Sequence, residues 1–86
     1  MPAATQTVTC PVGQWTLVAD GKTNVMLKSP TVGELRIHVG QSAPAANSEA
    51  YVTTNEWSSS VLTSTDKVYV MPYSEHYAMS VEVMTA

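Results

Sequence analysis

The sequence contains no phenylalanine, one cysteine and few charges, with Asp, Glu, Lys and Arg making up 13% of it. A single cysteine, Cys10, excludes an internal disulfide and agrees with a reducing compartment. Four Lys and Arg stand against seven Asp and Glu, for a net charge of −3. The cations Lys22, Lys28, Arg36 and Lys67 are scattered, whereas nucleic-acid binding draws on clustered cations that displace counterions. No nucleic-acid partner is expected. No apolar run approaches the roughly 18 residues of a membrane span, and no membrane partner is expected either. The start, Met1-Pro2-Ala3-Ala4-Thr5, has neither a cationic nor an apolar signal region, so no secretory signal is expected. His38 and His76 are the only histidines. Zinc sites need three or four protein ligands, and His38, His76, Cys10 and a carboxylate share no local spacing. No metal or other cofactor is expected.

What is abundant is β-branched. Valine (12) and threonine (11) far outnumber leucine (4), a bias that suits pleated strands better than helices. Prolines at Pro2, Pro11, Pro30, Pro44 and Pro72 leave little room for a long helix. The 86 residues fit one domain. A chain of this size buries only about 60% of its unfolded surface. Small scaffolds usually add disulfides, metal or oligomerisation, and here oligomerisation or docking on a larger partner is what remains.

Residues 1–6 read as a polar arm, and residues 7–86 as a single β domain. Short strands are expected at Thr7–Cys10, Gln14–Ala19, Thr23–Lys28, Gly33–Val39, Ala50–Thr53, Trp57–Thr63, Lys67–Met71 and from Tyr77 onward. In Gly33–Val39, Leu35, Ile37 and Val39 face one way and Glu34, Arg36 and His38 the other. Turns fall every eight to twelve residues. This pattern predicts an all-β fold, a small antiparallel β-sandwich or barrel of about seven or eight short strands. The loop 40–48 is the longest, with room for a short helix around 43–50. Asp20-Gly21-Lys22 is a turn signal. An odd-length loop there would pair Leu17 with Val25 and Trp15 with Leu27, gathering the large apolar side chains on one buried face.

Catalytic constellations do not emerge. Ser58-Ser59-Ser60 lacks a GxSxG setting and a tied histidine, and is read as a hydroxyl-rich edge or loop. The carboxylates lie at no informative spacing, and no enzyme is expected. The aromatic set is Trp15, Trp57, Tyr51, Tyr69, Tyr73 and Tyr77. Trp15 falls on the apolar stripe and is expected in the core. Tyr73 lies in a loop beside Pro72, and Tyr69 alternates with Val68 and Val70 on an outer face. Met26 and Met84 lie off the stripes of their strands and hint at a second buried face. Met26, Tyr69, Tyr73 and Met84 are therefore the candidate interface residues.

Assembled in order, several segments resemble the small all-β structural proteins of tailed bacteriophages. These are Gly13-Gln14-Trp15-Thr16-Leu17-Val18-Ala19-Asp20-Gly21, Gly33-Glu34-Leu35-Arg36-Ile37-His38-Val39, Ala43-Pro44-Ala45, Asp66-Lys67-Val68-Tyr69-Val70 and Ser80-Val81-Glu82-Val83. The resemblance lies in composition and strand order over residues 13–83. It implies a non-enzymatic virion structural protein made in the host cytoplasm, of the capsid decoration or cement type. Its expected partners are itself, as a homo-oligomer such as a trimer, and a major capsid or other virion protein. The alternative from the residues is a small carbohydrate-binding β module using exposed aromatics.

Overall fold

The computed structural model describes residues 3–29 and 33–86. Among these residues eight strands follow one another: β1 (Ala4–Cys10), β2 (Thr16–Asp20), β3 (Val25–Lys28), β4 (Leu35–Gly40), β5 (Val52–Thr54), β6 (Glu56–Ser59), β7 (Lys67–Pro72) and β8 (Met79–Thr85). They form two four-stranded sheets in the orders β1-β8-β3-β6 and β2-β7-β4-β5. Every pairing is antiparallel. The fold is an all-β sandwich, as the spacing of strands and turns predicts.

Alternation builds the core. From the first sheet, Cys10, Val25, Leu27, Met79, Val81 and Val83 point inward; from the second, Val18, Ala19, Leu35, Ile37, Val68 and Val70 join the same cluster. Polar neighbours such as Thr9, Lys28 and Glu82 point out. The period of two sorts each strand into a buried and an open set. Burial of this apolar surface is the main term holding the sheets together.

The Leu17–Val25 hairpin does not form. β2 pairs with β7, and β3 lies between β8 and β6 in the other sheet. The turn at Gly21 exists, with φ of 70° and its N–H donating to Asp66 O, but it carries the chain across the sandwich. Beyond it, the amides of Thr23 and Asn24 donate to Ala86 O. Nor do Leu17 and Ala19 share one face. An irregularity in register between Leu17 and Ala19 puts Val18 and Ala19 inside together, while Leu17 is 45% exposed. An extra residue in a bulge breaks the alternation on which a register argument depends.

Other boundaries shift for local reasons. β1 starts at Ala4, not Thr7, because Ala4, Thr5 and Gln6 pair with Thr85, Met84 and Val83; these three residues of the polar arm belong to the sheet. No helix forms at 43–50: Ser48 N–H donates to Ala45 O in one isolated turn, and Trp15 also uses that carbonyl. β6 ends at Ser59, where the Ser59 hydroxyl accepts from the amide of Val61 and turns the chain. β8 starts at Met79, leaving Tyr77 72% exposed in the preceding loop.

Candidate subunit interface

The four sequence-predicted residues separate into three places. Met26 and Met84 come together. They are direct cross-strand partners on β3 and β8, 53% and 47% exposed on the outer face of the first sheet. Thr5 on β1 lies opposite Met84, and Ser58 on β6 lies opposite Met26. Thr5, Met84, Met26 and Ser58 thus form one row across all four strands. The next row is Thr7, Glu82, Lys28 and Glu56. Among the described residues, none covers this face. A shallow cleft of about 380 Å³ runs along the first row, its walls including Ala3, Asn24, Ser60 and Ala86.

Tyr69 lies on the outer face of the second sheet, but that face is covered and Tyr69 is buried. The long 41–51 connection folds over it. The Trp15 indole N–H donates to Ala45 O at 3.1 Å. His38 Nδ1 is 2.6 Å from Ala50 O; a carbonyl only accepts, so this nitrogen carries the proton. Trp15 lies 6.0 Å from His38 and 6.1 Å from Tyr51, and His38 lies 6.3 Å from Tyr69. A Cβ on Gly40 would come within 2.8 Å of His38 Nε2, so glycine there leaves room for the imidazole. Trp15 is therefore only partly buried, under the loop and outside the core.

Tyr73 stands at one end of that cluster, 51% exposed. The Arg36 guanidinium sits 5.0 Å from its ring centroid and 5.2 Å from that of Tyr51, a cation between two π faces. Its Nη2 donates to Tyr73 O and its Nη1 approaches Met71 Sδ, while its buried Nε has no partner among the described residues. Tyr73 and Tyr77 also flank a cleft of about 560 Å³ with Glu34 and Ser74. Sequence reasoning placed Arg36, His38 and Tyr51 in no cluster. The signal available was the alternation Arg36-x-His38 opposite Tyr69-x-Met71, on a strand whose other face was already assigned to the core.

Among the described residues, no group of three or more His, Cys, Asp and Glu side chains is placed to hold a metal ion. The serines Ser58 and Ser59 lie on the edge strand β6. Cys10 is unpaired and fully buried. Burial pushes its thiol above the ordinary value of 9.0, and the Thr16 hydroxyl offsets part of this. The folded state thus favours the neutral thiol. That contribution to stability is complete below pH 9.0 and is lost as pH rises toward the folded value. Urea unfolding of Cys10→Ala should lack this alkaline component, and the native wild type should resist thiol-directed alkylation until it unfolds. An equal alkaline decline in both proteins would refute the assignment.

Comparison with protein-family models, curated proteins and solved structures finds no match.

Proposed function

We propose that this chain is a non-enzymatic virion structural protein, a capsid decoration (cement) protein that oligomerises and docks on a larger assembly. The observation that carries the reading is the uncovered row Thr5–Met84–Met26–Ser58 on the outer face of the first sheet. Small hydroxyl residues at its ends and two adaptable thioethers at its centre make an uncharged strip, bordered by the row of Glu82, Lys28 and Glu56. Interface cores are depleted in charge and enriched in methionine. The resemblance of strand order to small phage structural proteins supports the virion setting. An obligate contact would bury about 1,000 Å² or more per copy, which is roughly a fifth of the chain's 5152 Å² surface.

The test is cosedimentation with capsids of the phage that encodes the protein, stripped of it. The double variant Met26→Gln and Met84→Gln keeps side-chain length and removes apolar contact. Burying a methionine is worth about 1.5–3 kcal/mol, so attachment should weaken at least tenfold while the far-UV circular dichroism stays unchanged. Undiminished attachment of the variant, or no attachment of the wild type, overturns the reading.

A second reading, a carbohydrate-binding module, draws on Tyr73 and Tyr77 beside the cleft that also holds Glu34. Tyrosine faces can stack on sugar rings while a carboxylate accepts hydroxyl hydrogen bonds. Oligosaccharide binding by a monomer, lost in Tyr77→Ala, would favour this reading over the first.

A further inference from the structure

The four sheet edges are unequal. β5 has three residues. β6 has four and carries Glu56. β2 carries Asp20 and a register irregularity beside Leu17. Short length, charge and bulges are the usual means by which an edge avoids pairing with another chain. β1 has none of them. It spans seven residues, Ala4–Cys10, with no charge and no proline, and its register with β8 runs without interruption from Ala4–Thr85 to Cys10–Met79. Among the described residues, no strand neighbours its far side. Main-chain donors and acceptors therefore line an open edge of six exposed or half-exposed residues, Ala4 to Thr9.

We propose that β1 pairs antiparallel with β1 of a second copy of this chain, about a twofold axis at Thr7. This inference rests on the oligomeric reading above and names its contact. Three observations select a second copy as the occupant. First, a charge at or beside the axis of a twofold pairing would meet a like charge across it; β1 has none. Second, facing residues must share a sheet face. Ala4, Gln6, Val8 and Cys10 share the face of Val81 and Val83, and Thr5, Thr7 and Thr9 share the outer one. Centring on Thr7 satisfies this for all seven residues. It sets Thr5 opposite the second copy's Thr9 and Gln6 opposite the second copy's Val8. Third, an axis normal to the sheet turns both outer faces the same way. An eight-stranded sheet results, and the two Met26–Met84 pairs lie on one side of it, ready to meet a single surface. The closed unit is then a dimer, one form of the homo-oligomer that the phage resemblance implies, in place of a trimer.

The test combines size-exclusion chromatography with light scattering and oxidative cross-linking on the full chain. Thr7→Lys places its ammonium beside Glu82 within the copy, which favours the folded monomer. Across the axis it faces the second copy's lysine. Dimer dissociation should therefore require at least tenfold less dilution than in the wild type, with unchanged circular dichroism. Thr7→Cys should form a disulfide-linked dimer under mild oxidation. Thr5→Cys should not, because the two Thr5 positions lie about 14 Å apart at the strand rise, beyond the reach of a disulfide. An oligomer unaffected by Thr7→Lys, or no Thr7→Cys cross-link, overturns the β1 pairing and leaves the oligomeric reading standing. A wild type that is monomeric at every concentration overturns both.

Discussion

Replacing Leu27 by alanine is expected to remove about 3–4 kcal/mol of stability, within the 2–5 kcal/mol range for deleting a buried leucine side chain. Leu27 has no exposed surface and lies between Val83 on β8 and Trp57 on β6. It is among the largest fully buried side chains. Strand pairing on both sides fixes its backbone, so the cavity can collapse only a little. An 86-residue chain has a total stability of roughly 4–13 kcal/mol, so this one change takes a large share of it. The melting temperature should fall by roughly 4–8 °C for each kcal/mol lost. Leu17→Ala is the contrasting variant. Leu17 is 45% exposed on the outer face of the second sheet, and its truncation should cost under about 1 kcal/mol. Urea unfolding midpoints of the two variants check both numbers. Equal effects would show that the two leucines share one buried face, as a β2–β3 hairpin requires.

That contrast also marks how far the sequence could be read. Leu35 and Ile37 inward with Arg36 and His38 outward followed from clean alternation, as did Met79, Val81 and Val83. The eight short strands and most turns were legible for the same reason. Partner choice was not. Asp20-Gly21 signals a turn equally well whether the chain returns to the same sheet or crosses to the other. The bulge after Leu17 leaves no trace in composition, and it reversed the face on which Trp15 and Leu17 sit. Met26 and Met84 were legible as off-stripe residues, but only the register of β3 against β8 shows that they touch adjacent positions of one surface. Tyr69 was legible as an outer-face residue, and its covering was hidden because it depends on where residues 41–51 lie. Loop placement is set by a few long-range contacts, such as Trp15 to Ala45 and His38 to Ala50, which no local pattern encodes.

The covering of the second sheet leads to the last expected result. Trp15→Ala should cost about 2–3 kcal/mol, somewhat below the 3–5 kcal/mol of a fully buried tryptophan, because Trp15 keeps part of its surface in solvent. The loss has two parts. The indole surface against His38 and Tyr51 disappears, including two tilted ring contacts, each worth about 0.5–1.5 kcal/mol beyond area burial. The hydrogen bond to Ala45 O is removed, leaving that carbonyl to the Ser48 amide and to water. The 41–51 segment is then held mainly by the His38–Ala50 hydrogen bond and by Tyr51 on Arg36. Local opening should become easier than global unfolding, since a segment with few buried contacts opens as its own unit. Native-state hydrogen exchange should therefore speed up at the amides of Ser48 and Tyr51 and, less strongly, on the outer face of β4 and β7. Amides of β8, in the other sheet, should follow only the global change. The Tyr51–Arg36–Tyr73 stack explains why the segment should loosen without detaching: it holds the loop at Tyr51 through Arg36, a contact that does not need the indole. If exchange in Trp15→Ala rises equally in both sheets, the loop is part of the cooperative core, and the two-layer description of the second sheet's outer face is wrong.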